Sequence, residues 1–302
     1  MRSCVLALVG PTGVGKTRLA FELAQRIPLE VVSADSRAVY RWMDIGTAKP
    51  TFAERDQVPH HLIDVVDPDE PYTLAIYQRQ ARAAIQRIQQ RGRLAVLVGG
   101  AGLYVSAVCD GLVLPDVPPD EAFRSEKYQV AESAGYRALQ AELESIDPES
   151  ARRIDPKNVR RVIRALEVHH ATGRPFSDWQ RPVPEAAIPC VTLGMQLERS
   201  TLYERIDERI EAWIEAGFVE EVRGLLDRGY APTLPSMSGL GYREIAQVLA
   251  GDISLDRGLD LFKQATHQYA KRQMTWFVHR PEIHWLDASS ATVDDVIRLA
   301  GT

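Results

Sequence analysis

The sequence is poor in the features that would commit it to a membrane, an oxidising compartment or a tightly held metal. Its first apolar run, "CVLALVG", is far shorter than the roughly 20 apolar residues a bilayer demands and runs straight into a glycine-rich loop. A secretory leader would need a longer apolar core and a small-residue cleavage site, and neither is found. Cysteine is scarce. Cys4, Cys109 and Cys190 are isolated, odd in number and without CxxC spacing, which argues against disulfides and a zinc site and for a reducing cytoplasm. Internal repeats, low-complexity segments and a global basic excess are missing too. The formal charge is −5, so the sum gives no hint of a polyanionic partner. With 302 residues, 45% hydrophobic and 25% charged, the composition is that of a globular protein large enough for two domains. Nothing in it demands an obligate oligomer, so a monomer is expected.

The most informative stretch is Gly10, Pro11, Thr12, Gly13, Val14, Gly15, Lys16 and Thr17, a full match to GxxxxGK[ST]. Its context fits a phosphate loop: a short two-sided apolar run precedes it, and Leu19, Leu23 and Ile27 follow at helical spacing. In such a loop the backbone N–H groups of residues 13–17 surround two phosphate groups at the positive end of a helix. Lys16 adds a point charge, and the Thr17 hydroxyl is the expected ligand for Mg²⁺.

The strand–helix rhythm continues. "LEVVSAD" (29–35) predicts a second strand, 75–92 a long helix stopped by Gly92, and "LAVLVGG" (94–100) a third buried strand. The rhythm breaks at Pro115, Pro118 and Pro119, where a largely helical, polar stretch begins. It lasts to a second proline cluster, Pro175, Pro182, Pro184 and Pro189. "CVTLGMQL" (190–197) returns to the sheet, followed by helices within 200–228 and 259–279 and a short strand, "IHWLD". The expected fold is α/β: a P-loop-type parallel sheet flanked by helices, formed by residues 1–114 and 190–302, with a helical insertion at 115–189.

A phosphate loop alone does not define a reaction. Hydrolases and kinases of this class pair it with a hydrophobic strand ending in Asp or Glu. Here the best strand by hydrophobicity, "LAVLVGG", ends in two glycines. "EVVSAD" does end in a carboxylate, Asp35, on a strand expected to neighbour the loop, where open α/β sheets place their ligands. On position alone Asp35 serves equally well as a turn cap for Ser33 and Ser36. A kinase whose lid is supplied by the insertion stays open at this point.

A larger pattern narrows the choice. "GPTGVGKT", "SADSRAVYRWMDIGTAKP" (33–50), "PHHLIDVVDP" (59–68), "VGGAGLY" (98–104), "RRVIRALEVHHATG" (160–173) and "AKRQMTWF" (270–277), in this order, resemble the tRNA dimethylallyltransferases, also called tRNA isopentenyltransferases. The resemblance spans residues 5 to about 287. It implies transfer of a dimethylallyl group from its diphosphate to the exocyclic amino nitrogen of the adenosine 3′ of the anticodon in UNN-reading tRNAs, with Mg²⁺. The diphosphate then leaves as a unit, which explains why no water-activating carboxylate follows the third strand. Asp35 becomes the base that accepts the amine proton, and Lys16 joins the loop in stabilising the leaving group. Arg209 matches a family arginine on the diphosphate, although its i,i+4 spacing from Arg205 also fits a solvated helix face.

The resemblance further implies tRNA contacts by Asp35, Ser36, Arg37, Ala38, Ala101, Phe123, Val159, Arg160, Arg161, Val162, Ile163, Gly241, Tyr242, Arg243, Lys271 and Arg272. Two positions depart from the pattern. Ala101 stands where the family usually has Thr, leaving Thr12 as a candidate replacement hydroxyl, and Val278 where it often has Arg, with Arg280 two residues on. Residues 151–170 carry six Lys and Arg, including Arg152, Lys157 and Arg164, against two acids, a local +4 in an acidic chain. That is the footprint expected for phosphate backbones, and equally that of a solvated helix. Trp276 and Phe277 are expected in the core. His60, His61, His169 and His170 are expected to be structural, because adjacent histidines diverge on either a strand or a helix. A stacked target base must be flipped out to reach a carboxylate, and the insertion is expected to grip the stem-loop meanwhile. The rivals are an isopentenyltransferase acting on free adenine nucleotides, a nucleotide or metabolite kinase, and a non-catalytic RNA-binding protein.

Overall fold

The structure, a computed structural model, describes residues 4–181, 183 and 187–301. Pro182 and Pro184 of the second proline cluster lie outside the described residues. By its contacts the chain forms two compact units, Met1–Cys109 with Ile188–Thr302, and Asp110–Ala187.

The first unit is built on a parallel six-stranded sheet. β1 (Val5–Val9) is buried along its whole length, as the unbroken apolar run requires of a strand covered on both faces. The loop follows, then α1 (Lys16–Ala24), which turns Leu19, Ala20 and Leu23 inward. β2 (Leu29–Ser33) comes next, then a long excursion containing α2 (Phe52–Gln57) and the two-residue β3 (His60–His61). α3 (Leu74–Gln90) leads into β4 (Leu94–Gly99), and α4 (Gly102–Cys109) ends this half. The strand order is β3-β2-β4-β1, then β5 (Cys190–Gln196) and β6 (His284–Asp287) beyond β1, with every pairing parallel. One expectation is corrected: β2 pairs with β4 and not with the loop strand, so β4 separates Asp35's strand from the phosphate loop.

After β5 come α10 (Arg199–Glu215) and α11 (Phe218–Asp227), separated at Gly217, whose φ of 97° is the left-handed turn that stops the first helix. α12 (Tyr242–Leu249), the 24-residue α13 (Leu255–Val278) and α14 (Val293–Ala300) complete the unit. One core cluster packs Leu6, Leu8, Leu193 and Met195 of the sheet against residues of α1, α10, α11 and α13. The other packs Val5, Ala7, Val32 and Leu97 against α3 and α4. Among the described residues no helix is long and apolar enough to cross a membrane.

His60 and His61 form β3 itself, paired with Val31 and Val32. His61 Nε2 lies 2.7 Å from a carboxylate oxygen of the buried Glu30, which Arg91 also holds, and His60 Nδ1 lies 2.6 Å from the Val58 carbonyl. These histidines tie down a sheet edge.

The second unit is helical: α5 (Glu121–Ala134), α6 (Tyr136–Ile146), α7 (Pro148–Arg153), α8 (Val159–Thr172) and α9 (Phe176–Trp179). Its own core is formed by Leu139, Leu143, Ala151, Ile154, Val162, Ile163, Ala165 and Leu166. Glu167, 1% exposed, accepts from Arg124 at 2.8 Å and from Arg164 at 2.5 Å, so a buried carboxylate joins α5 to α8.

Candidate active site

The loop closes because glycine stands at its tight positions. A Cβ on Gly10, whose φ is 140°, would lie 2.4 Å from the backbone oxygen of Met195, so only glycine lets β5 run alongside. Gly15, at φ 100°, opens α1 and leaves that helix's first N–H groups without intrahelical partners. Thr12, Gly13, Gly15, Lys16 and Thr17 line a cavity of about 480 Å³, together with Asp35, Arg209 and Tyr269. Val14 lies beneath, 1% exposed in the core, so it contributes backbone alone.

The Lys16 ammonium donates to the carbonyls of Gly10, at 3.0 Å, and Pro11, at 2.7 Å, folding back on its own loop. Burial pulls its pKa down to about 7; Arg209 acts in the same direction and Asp35 opposes. At neutral pH the free protein therefore balances Lys16 between amine and ammonium, and an anion in the loop favours the charged form. Arg209, on α10, is turned inward and is no part of a solvated helix face. Its Nη2 donates to Thr12 Oγ1 at 2.8 Å, while its buried Nε has no hydrogen-bond partner among the described residues. Burial lowers its pKa to about 10, so the guanidinium stays charged at neutral pH. A guanidinium with an unpaired donor and a lysine that an anion would charge, both facing a phosphate loop, form an anion site.

Asp35 divides its two oxygens between the roles the sequence left open. Oδ1 accepts from the backbone N–H of Arg37 at 2.7 Å and of Ala38 at 3.2 Å, a turn cap. Oδ2 has no hydrogen-bond partner among the described residues. Asp35 also lines an adjoining cavity of about 320 Å³ with Ser36, Arg37, Ser238, Gly239, Tyr269 and Arg272. The two cavities share Thr12, Asp35, Arg209, Trp213 and Tyr269, so one carboxylate faces both. Arg37 braces the second cavity by donating to the carbonyl of Pro235 at 2.6 Å and to Ser238 Oγ at 3.1 Å.

Two residues of this site escaped sequence reasoning. Tyr269 and Gln273 stand one turn apart on the inward face of α13, within or just before "AKRQMTWF". Burial, reinforced by the Asp35 charge, raises the Tyr269 phenol well above its ordinary pKa and keeps it protonated. The Gln273 Oε1 accepts the Thr12 N–H at 2.8 Å. Their i,i+4 spacing was the available signal.

Other expected contact residues are placed differently. Val162 and Ile163 are 0% and 2% exposed in the helical unit's core, so their side chains cannot meet a partner; Val159 packs against the same core. In that unit Arg160, Arg161, Arg152 and Lys157 are exposed and carry no ion pair among the described residues, whereas Arg164 is committed to Glu167. Phe123 stacks on His170 with ring centroids 4.7 Å apart. In the sheet unit Tyr242 is buried and donates its hydroxyl to Glu221, Gly241 carries the φ of 85° that opens α12, and Arg243 is exposed. Lys271 and Arg272 are exposed on α13. Phe277 is core as expected, but Trp276 is 45% exposed, which corrects its assignment to the core. Ala101 caps the start of α4, donates its N–H to the Ala34 carbonyl at 3.2 Å and packs against the second core cluster, directly after Gly99 and Gly100 of the loop cavity. Arg280 donates to Ser106 Oγ and lines a shallow surface with Lys271, Arg272 and Trp276, the side on which an arginine at 278 is missing.

A family model for IPP transferase matches residues 38–280. The chain belongs to the IPP transferase family. It is 53% identical over 286 residues to the tRNA dimethylallyltransferase of Roseiflexus castenholzii, covering 95% of this chain and 93% of that one. The corresponding protein of Geobacillus thermodenitrificans is 46% identical over 288 residues, 95% of this chain and 91% of its own length. A crystal structure of the tRNA isopentenylpyrophosphate transferase of Bacillus halodurans superposes with a TM-score of 0.71 at 41% identity, over 99% of this chain and 95% of that one. A eukaryotic dimethylallyltransferase acting on tRNA gives 0.82 at 27% identity, over 98% and 78%. The P-loop-type sheet of the IPP transferase family is thus the frame on which Asp35, Lys16 and Arg209 are brought together.

Proposed function

We propose that this IPP transferase moves a dimethylallyl group from dimethylallyl diphosphate to the exocyclic amino nitrogen of the adenosine 3′ of the anticodon in UNN-reading tRNAs. The observation that carries the reading is the placement of Asp35. Asp35 lines both the phosphate-loop cavity and the adjoining one, with Oδ2 left without a hydrogen-bond partner among the described residues, whereas the end of β4 nearest the loop holds only glycines.

The diphosphate lies in the loop, where Lys16, Arg209 and the N-terminus of α1 meet the charge that grows on the bridging oxygen. The bond between that oxygen and the allylic carbon breaks and a bond from the adenine nitrogen to the same carbon forms. Asp35 Oδ2 takes the proton from the amine, and inorganic pyrophosphate leaves. Adenine's amino group is a weak nucleophile because its lone pair is delocalised, so a base within hydrogen-bond reach raises its reactivity. The exposed Thr17 hydroxyl at the loop fits Mg²⁺. Among the described residues no three His, Cys, Asp or Glu side chains gather to cage an ion, so the remaining ligands would be diphosphate oxygens and water. When bound, Mg²⁺ neutralises diphosphate charge.

The tRNA anticodon stem-loop is assigned to the exposed cations of the helical unit, Arg152, Lys157, Arg160 and Arg161, and to Arg37, Arg243, Lys271 and Arg272 of the sheet unit. The flipped base enters the cavity lined by Ser36, Arg37 and Ser238. We take the protein to act as a monomer in the cytoplasm, the compartment being in keeping with cysteines that are few and without CxxC spacing. Incubation with Mg²⁺, radiolabelled dimethylallyl diphosphate and unmodified tRNA, beside ATP controls, tests the reading. Label enters tRNA only when a UNN-reading anticodon arm is present; ADP formation without labelled tRNA would overturn it in favour of a kinase.

A further inference from the structure

β4 ends where a hydrolase would place its carboxylate, and the structure shows what stands there instead. A Cβ on Gly99 would lie 2.1 Å from the Ala34 backbone oxygen, and one on Gly100 would lie 2.0 Å from Gln273 Nε2. The strand end has no room for any side chain, because the Ala34 backbone closes Gly99 and the Gln273 amide fills the space at Gly100. Gln273 is 6% exposed and reaches the loop from α13, 261 residues along the chain from Thr12. Its Oε1 accepts the Thr12 N–H at 2.8 Å, and Thr12 Oγ1 accepts Arg209 Nη2 at the same distance. That contact is the single hydrogen bond the Arg209 side chain makes among the described residues.

We propose that Gln273 is a positioning residue: by fixing Thr12 it aims the Arg209 guanidinium at the leaving diphosphate. With its N–H held by Gln273, Thr12 presents a hydroxyl in one orientation. Besides Thr12, the Arg209 guanidinium meets the face of Trp213, 4.7 Å from ring centroid to guanidinium carbon, and feels the charge of Asp35, so the Thr12 hydroxyl is its one directional hydrogen-bond anchor among the described residues. A neutral amide suits this place better than a carboxylate. It accepts the loop N–H without setting a negative charge beside a diphosphate or offering a base to water. The inference rests on the assignment of Arg209 to the diphosphate.

The test is a double-mutant cycle on the full chain, read by inorganic pyrophosphate affinity in Mg²⁺ and by kcat/KM for dimethylallyl diphosphate. Gln273→Met keeps the side-chain length and removes the acceptor. It should weaken pyrophosphate about 10-fold and lower kcat/KM about 10- to 100-fold, with tRNA affinity held within about 2-fold. In an Arg209→Ala background the same substitution should cost less than about 3-fold, because the residue it orients is gone. Gly100→Ala, which presses on the Gln273 amide from the other side, should reproduce the loss and its dependence on Arg209. If Gln273→Met and Gly100→Ala leave pyrophosphate affinity intact, or cost as much without Arg209 as with it, Gln273 is a structural filler. If Arg209→Ala alone leaves pyrophosphate affinity unchanged, the assignment of Arg209 itself is wrong.

Discussion

Binding of a diphosphate should draw a proton from solution, and Lys16 should be where it goes. In the free protein burial and Arg209 hold the Lys16 pKa at about 7, from an ordinary 10.5. A dianion in the loop places negative charge within a few ångströms and favours the charged form again. The bound pKa is therefore the higher one. Affinity is full below the free pKa and declines as pH rises through about 7 toward the bound value. As pH rises through about 7 a growing share of the free protein carries a neutral Lys16, so proton uptake on binding climbs from little near pH 6 to most of one proton well above pH 7, and affinity declines over the same range. Isothermal calorimetry at fixed Mg²⁺, in buffers of different ionisation enthalpy, reads the proton count directly. The ligand's own protons are removed by comparison with Lys16→Arg, which keeps the charge and does not titrate in this range. The difference between the two proteins should show this rise. Equal proton uptake by both at pH 7.5 would refute the account of Lys16.

The remaining predictions address the base, a helix cap and the RNA surface. Asp35→Asn keeps an oxygen for the Arg37 and Ala38 N–H groups but removes the base. Single-turnover prenylation should fall about 10²- to 10⁴-fold with tRNA affinity nearly unchanged, and a loss confined to tRNA binding would take Asp35 out of that role. Ala101 accepts the first bond of α4 through its carbonyl, from Val105 at 3.1 Å, without a capping side chain. Ala101→Thr should therefore add about 1 kcal/mol and raise the thermal midpoint by about 2 °C, seen in a melting curve. Reversing charge with Arg160→Glu and Arg161→Glu should weaken tRNA binding and flatten its salt dependence by about two ion equivalents, leaving kcat at saturating tRNA intact; an unchanged salt slope counts against this surface.

The parallel sheet was legible because its strands are buried on both faces and so read as unbroken apolar runs, "VLALV" and "LAVLV". The loop was legible because glycine is forced wherever backbone crowds backbone, as at Gly10 against Met195. What stayed hidden depends on neighbours remote in the chain. β3 is two histidines long and exists because β2 offers it an edge. Strand order is not written in periodicity, so β4 was free to fall between β1 and β2. The excursion after Asp35 holds Trp42, Ala48, Leu62 and Asp64 at positive φ, conformations no local propensity predicts for such residues. Lys49, whose side chain is 1% exposed, ties the segment together by donating to Asp44, Asp64 and the Tyr40 carbonyl. By spacing from Arg205 alone Arg209 also fitted a solvated helix face, and its Thr12 contact turns it toward the loop instead. Val162 and Ile163 lie within a basic motif, yet helical period alone turns them to the core.

The spacing of the sheet bears on the chemistry as much as the residues do. Neighbouring strands lie about 4.8 Å apart, so two intervals separate the axis of β1 from that of β2, roughly 10 Å. A base at the end of β4 would stand beside the phosphates, where it would serve an attack on phosphorus and repel the diphosphate. That place is closed by Gly99 against Ala34 and by the Gln273 amide at Gly100. Asp35 stands one strand farther out, with room between it and the loop for an allylic carbon and an attacking amine. Among the described residues the loop cavity is lined by two carboxylates, Asp35 beyond the end of β2 and Glu54 of α2, and by none from β4, so under the proposed reaction no base stands at the strand end beside the phosphates.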